Sequence, residues 1–388
     1  MKLPQAREID RSSAEKLLAA LIGIASVNPA YDAASPGENA LGDAIADFCA
    51  TIGMTVERPV VVDGRRNLVA RLSSGDHRRT LLIEAHLDTV GLPAGAITPT
   101  AEVKDGRITG RGACDVKGGI AAALLALADL HSAPLSHTDV VLLGAIDEEF
   151  EFRGISHFIA AGMLPDAAVV IEPTGLRAVN EHNGVVRIEI VVDGRAAHTS
   201  RPDDGHNAIR DALTLVDSLD RWNASANADR VDDEPDRILA VTTIEGGSAI
   251  NIVPDSCRLG IDLRIRPRDL PQVVLADLRE FLGSQDSIAA RVDRELLLDG
   301  GMFTSVGDPL VVVAGHALTE VGLQPEPVRV PYGTDGSKLS RAGVPTIVFG
   351  PGSIEQAHSD DEWVELDDVV SSARVLSALA RRFDGHAP

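Results

Sequence analysis

Apolar residues recur at helical spacing over Glu15 to Ile24 and again over Ala40 to Ile52, on either side of the turn-rich segment Asn28 to Asn39. This predicts two surface helices. Short β-type runs follow at Asn67 to Leu72 and Thr80 to His86, then an Ala/Leu-rich helix from about Lys117 to Leu130 and a buried strand over Asp139 to Ile146. A helix around Ser156 to Ala161 and a strand over Ala167 to Ile171 continue the alternation. The tail adds a helix near Pro309 to Val321, a strand over Thr346 to Gly350 and a closing helix. This is an α/β layer order in which the two ends of the chain are expected to share one sheet.

The middle of the chain reads differently. Strand Val185 to Val192, helix His206 to Trp222, strands Ile238 to Ile244 and Cys257 to Arg266, helix Leu270 to Leu282 and strand Ile288 to Arg294 form a βαββαβ series, the order of a ferredoxin-like α+β domain. The polar run Asn223 to Arg237 reads as a loop within it. A chain of 388 residues is long for one core. The expected organisation is therefore an outer domain, 1–181 with 297–388, and an inserted domain, 182–296.

Composition narrows the function. Acidic residues outnumber basic ones by 58 to 36, and no Lys/Arg cluster offers a track for a phosphate backbone, so nucleic acid is not an expected partner. The first thirty residues lack the uninterrupted apolar stretch of a signal peptide or membrane span, so no membrane partner is expected and the cytoplasm is the expected location. Cys49, Cys114 and Cys257 are odd in number and far apart, which fits a reducing compartment without disulfides.

Acids and histidines punctuate the ends of the predicted strands. Thr80 to His86 is apolar until Glu84-Ala85-His86-Leu87-Asp88, and sites in open α/β sheets gather at strand carboxyl ends. There His86 reads either as a metal ligand or as a strand-end histidine satisfied by backbone. As a ligand it would have Asp88 within reach of its second ring nitrogen. The glycine-rich stretch Gly110 to Gly119 matches neither GxGxxG nor a Walker loop. Within it, Asp115 stands at a helix entrance, either as an N-cap or as a carboxylate bridging two metals. Asp147-Glu148-Glu149 closes the next strand and Glu172 the one after, while His358 arrives late in an acidic setting. Packed carboxylates repel one another unless water or cations offset the charge. Two imidazoles with several carboxylates suit zinc, cobalt or manganese better than calcium.

In this order, His-x-Asp, Gly-Arg-Gly-x-x-Asp-x-Lys-Gly-Gly, Glu-Glu, Glu-Pro-Thr and a late His, the chain resembles the metallopeptidase and amidohydrolase family containing acetylornithine deacetylase, succinyl-diaminopimelate desuccinylase, aminoacylase-1 and carboxypeptidase G. The resemblance covers essentially the whole chain. It implies a zinc-peptidase-like catalytic domain with a mixed central sheet flanked by helices, and makes the inserted domain a lid and dimerisation domain. It assigns His86, Asp115 and Glu172 to one divalent metal and His358, Asp115 and Glu149 to the other, with Asp115 as the bridge. The metal implied is Zn²⁺, with Co²⁺ or Mn²⁺ as alternatives. Glu148 becomes the general base and Asp88 the group that orients His86.

Gly194 to Ser200 and Gly205 to Ala208 match the lid, making His198 an oxyanion stabiliser that many relatives donate across a dimer. Asn251 and Arg264 stand where relatives hold a substrate carboxylate, although either can simply pair with Asp262 or backbone. Thr334 sits in a loop motif on the substrate side. Ala85 replaces the usual Gly before the first histidine, and Glu151-Phe152-Arg153 carries less Gly than usual; neither change removes a ligand. Cys114 has no base beside it and reads as packing. The expected function is hydrolysis of an N-acyl amino acid. The alternatives are a carboxypeptidase or dipeptidase, which Glu172 disfavours because dipeptidase-like relatives often carry Asp there, and an inactive metal-bound binding protein, which the intact Glu148 disfavours.

Overall fold

Three parallel strands, Thr138–Ala145, Arg79–His86 and Ala167–Val170, lie side by side in the computed structural model of the protein, which describes all residues except 1, 6, 7, 94, 97, 229–236 and 386–388. Their residues are almost wholly buried, which explains the unbroken apolar runs in the sequence. Leu68–Leu72 flanks them antiparallel on one side, followed by Thr55–Glu57. On the other side Thr346–Val348 pairs parallel with Ala167–Val170 and antiparallel with Val179–His182. The central sheet is therefore mixed, and strands from both ends of the chain contribute to it.

Register sets the site. His86 lies opposite Ala145 and Glu84 opposite Val170. Glu172, two beyond the partner of Glu84, thus emerges level with His86, and the turn beginning at Asp147 emerges two residues further on, beside Asp88.

Helices cover the sheet. Gly118–Ser132 is buried along nearly its whole length and packs against the closing helix Leu366–Gly385 and against Arg11–Ile22. Arg11–Ile22 starts where Asp10 accepts from the Ser13 amide, an N-cap not recognised in the sequence, and buries Leu17, Leu18 and Leu21. No helix among the described residues is long and apolar enough to cross a membrane.

The chain divides into two compact units. One comprises Met1–Glu181, Thr304–Arg329 and Thr334–Pro388; the other comprises His182–Phe303 and Val330–Gly333. The second unit holds an antiparallel sheet in the order Ile238–Gly246, Ser256–Ile265, Gly184–Asp193, Ala289–Asp299. In chain order this is 2-3-1-4, the ferredoxin-like arrangement. Val186, Ile188, Ile190 and Val192 alternate onto one face, where helices Ala208–Ala226 and Pro271–Gly283 cover them. Each such side chain contributes about 1.5–3 kcal/mol on burial. The Ala208 helix runs to Ala226, into the stretch expected to be a loop; 229–236 of that stretch lie outside the described residues.

Several short elements have no sequence signal. Glu102–Lys104 and Arg107–Thr109 form a hairpin that Trp363–Glu365 extends, and Val60–Val62 pairs with Arg65–Arg66. The three cysteines are free and buried.

Candidate metal centre

Asp115 is not a helix cap. The helix begins at Gly118 with Lys117 as its flanking residue, and Asp115 has an extended backbone at φ −119° and ψ 91°. Its carboxylate reaches His86 Nε2 at 2.8 Å through Oδ1 and His358 Nε2 at 3.3 Å through Oδ2. His358 also meets Glu149 at 3.1 Å, and His86 Nε2 lies 4.0 Å from Glu172 Oε1. All these residues belong to the larger unit.

The ligating atoms fall into two overlapping groups, His86 with Asp115 and Glu149, and His86 with Glu148 and Glu172, each lying within 4.8 Å of one another. Consecutive residues Glu148 and Glu149 thus serve different groups. His86, Asp115 and Glu172 are buried, whereas the His358 side chain is about half exposed, at 51%.

Electrostatics shows why the cluster suits cations. Burial, reinforced by repulsion from Glu172, raises Glu148 well above the ordinary carboxylate range. Burial and Asp115 likewise raise Glu172 and Glu149. Asp115 is held low despite its burial, by hydrogen bonds with His358 and His86. Hydrogen bonds to Asp115 and Glu149 push His358 up to about 10. The carboxylates thus compete for too little positive charge, which bound cations would supply. Imidazole and carboxylate donors fit borderline divalent ions.

A pH consequence follows from His358. Its raised pKa lies above neutrality, so at pH 7.5 the metal-free ring carries a proton that a cation must displace. Metal binding is therefore expected to release about one or more protons per protein. Calorimetric titration in buffers of different ionisation enthalpy measures this, and a heat independent of buffer would contradict it.

The acid-bearing turn is framed by residues far apart in sequence. The Asp88 carboxylate was expected on His86 Nδ1; its backbone oxygen occupies that position at 3.0 Å, with the carboxylate 3.6 Å away. At that distance the carboxylate is beyond hydrogen-bond reach of the ring. It instead accepts the backbone amides of Glu148 and Glu149 at 3.0 and 3.1 Å. Asn28 donates to both Asp88 and Asp147, while Arg65 and Arg153 pair with Asp147 and Arg65 also pairs with Glu38. Asp147 occupies the left-handed region at φ 68°, which turns the chain so that the acids leave the strand end. The sequence offered no sign of Asn28, Arg65 or Glu38, because nothing in their local spacing marks them.

The remaining candidates divide between the units. Thr334, in the larger unit, is buried and its hydroxyl accepts from the Gly336 amide. His198, Asn251 and Arg264 belong to the smaller unit. His198 is exposed, and its Nδ1 accepts the Ser200 amide at 3.1 Å. The neutral ring therefore carries its proton on Nε2. The His198 and Asn251 loops meet, with Thr199 donating to Asn251 O and His198 bridging to Ile252. Arg264 pairs with Asp262 through Nε at 2.8 Å. It lies near the far end of strand Ser256–Ile265, about 26 Å along the strand from the end that adjoins the Asn251 loop.

Residues 82–382 match the Peptidase family M20/M25/M40. The chain is 32% identical over 347 residues to acetylornithine deacetylase of Myxococcus xanthus, covering 86% of this chain and 89% of that protein. It is 30% identical to the acetylornithine deacetylase of Proteus mirabilis (strain HI4320), covering 94% and 95%. Among solved structures, aminopeptidase PepT from Bacillus cereus ATCC 10987 is similar with a TM-score of 0.80 at 20% identity, covering 96% of this chain and 98% of that one. The Bacillus subtilis YXEP protein, a dinuclear metal binding peptidase, is similar with a TM-score of 0.72 at 15% identity, covering 97% and 99%. The chain thus belongs to the peptidase family M20/M25/M40, and its chemistry is metal-dependent hydrolysis of amide bonds.

Proposed function

We propose that the protein removes the acyl group from an N-acyl amino acid, with Glu148 moving the proton. The separation of Glu148 from Glu149 carries this reading: one acid sits beside His86 and Glu172, the other beside His86 and Asp115. His86, Asp115 and Glu172 would hold one divalent ion, and His358, Asp115 and Glu149 the other, with Zn²⁺ preferred over Co²⁺ or Mn²⁺. Bound there, the ions supply Lewis acidity toward the amide carbonyl and the attacking water. Glu148, placed beside His86 and Glu172, accepts a proton from that water and delivers it to the departing nitrogen. Asp88 fixes the backbone from which both acids project.

His198 presents an Nε2 donor suited to a developing oxyanion. Asn251 and Arg264 hold the substrate carboxylate, and Thr334, whose hydroxyl accepts the Gly336 amide, belongs to the loop on the substrate side. Arg264 stands about 26 Å along its strand from the end that adjoins the His198 and Asn251 loops, far longer than an acyl amino acid. A single copy of this unit therefore does not bring all three to one substrate. We read the enzyme as a homodimer in which His198 and Asn251 act on the partner's metal centre. The exposed Ile244, Ile250 and Ile252 would be covered there.

The substrate reading rests on the deacetylase relatives, which align with this chain over nearly their whole length. Amine release is expected from N-acetyl amino acids after chelated enzyme is reloaded with zinc, cobalt or manganese, and N-succinyl and N-formyl amino acids complete the panel. Cleavage of dipeptides alone would replace deacylation by peptidase action. Silence across the metal-loaded panel would favour a binding protein.

A further inference from the structure

We infer that Glu362 is a positioning residue that locks together the two loops carrying Asp115 and His358. Its carboxylate is 1% exposed and receives four hydrogen bonds. Oε2 accepts Arg111 Nη1 at 2.8 Å and the Gly112 amide at 2.9 Å; Oε1 accepts the Cys114 and Asp115 amides, each at 2.9 Å. The loop that presents Asp115 is thus wrapped around an anion from another part of its own chain, in the manner of a backbone nest. Gly112 takes the left-handed φ of 81° in this loop, a conformation that glycine adopts without strain.

The same carboxylate belongs to the segment that begins at His358 and reaches Glu362 four residues later. Arg111 fastens that segment a second time by donating to Ser359 O at 3.1 Å, and the backbone oxygen of Glu362 accepts the Gly110 amide at 2.9 Å. Asp115 and His358 are 243 residues apart in the chain yet come within 3.3 Å, and Glu362 is the buried charge bonded to one loop and covalently continuous with the other. The charge is essential to the fit. An amide in its place would turn one NH₂ group toward backbone N–H groups or the guanidinium, leaving buried donors facing donors and Arg111 without its counter-charge.

This role rests on Asp115 and His358 being metal ligands. It is tested on the full chain by stripping metal with a chelator and titrating Zn²⁺ against a chromogenic competitor, with the visible spectrum of the Co²⁺ form recorded alongside. Glu362→Gln is expected to bind Zn²⁺ about 10- to 100-fold more weakly and to alter the cobalt spectrum. A folded variant with unchanged zinc affinity and cobalt spectrum would show that Glu362 serves stability alone and would overturn the inference.

Should Glu362→Gln fail to fold, Arg111→Lys keeps the carboxylate and its three amides while removing the guanidinium. It is expected to weaken Zn²⁺ binding by about several-fold, and unchanged affinity there would equally overturn the inference. Wild-type protein unable to bind Zn²⁺ would instead overturn the ligand assignment, and this inference with it.

Discussion

Glu148→Gln is expected to lower kcat by about 10²- to 10⁴-fold while the protein keeps its metal. The amide has nearly the shape of the acid but cannot accept a proton from water or carry one to the leaving nitrogen. Its backbone amide still bonds to Asp88 Oδ1, so the turn holding Glu149 retains its frame. The five proposed ligands, His86, Asp115, Glu149, Glu172 and His358, are untouched. Replacing Glu148 also removes one of the buried carboxylates that repel each other, so the apoprotein should fold at least as readily. The check is metal content by elemental analysis beside steady-state kinetics on the best substrate. A fully active variant with both metals bound would remove Glu148 from the proton path and sink the mechanism; loss of metal would make Glu148 a ligand, consistent with its place beside His86 and Glu172.

The parts of this site legible in the sequence share a physical cause. A strand buried on both faces is an unbroken apolar run, so the first acid or histidine after it stands out. His86, the acids from Asp147 to Glu149 and Glu172 are marked in this way, and the parallel register brings Glu172 level with His86. Asp115 is harder to read. An aspartate shortly before an Ala/Leu-rich helix resembles an N-cap, yet the chain stays extended there and its amide is held by Glu362. Nothing in the spacing around Asp115 announces a carboxylate from far along the chain. The frame behind Glu148 is hidden for the same reason: Asn28 lies 60 residues from Asp88 and 119 from Asp147.

The same limit applies to the short strands. Elements of two or three residues, such as Arg65–Arg66 and Glu102–Lys104, are too brief to develop a period. In the smaller unit the order of elements was readable because Val186, Ile188, Ile190 and Val192 alternate cleanly. The consequence of that order was not. Only the ladder shows that His198 and Arg264 are associated with opposite ends of one sheet.

That separation gives the second large effect. His198→Ala and Glu148→Gln are each expected to be nearly inactive alone, and mixing them under conditions that exchange subunits is expected to restore activity. If His198 serves the partner's metal centre, a mixed dimer contains one site with both substitutions and one with neither. Random exchange of equal amounts gives mixed dimers for half of the population, so recovery should approach about one quarter of wild-type activity. This recovery cannot arise if His198 serves its own subunit, because the site with Glu148 intact would then lack the imidazole. Sedimentation velocity on the same samples confirms that dimers are present. Dimers without recovery would place His198 in its own subunit's site. Monomeric, active protein would end the dimer reading and require movement within one chain to bring His198 and Arg264 to the same substrate.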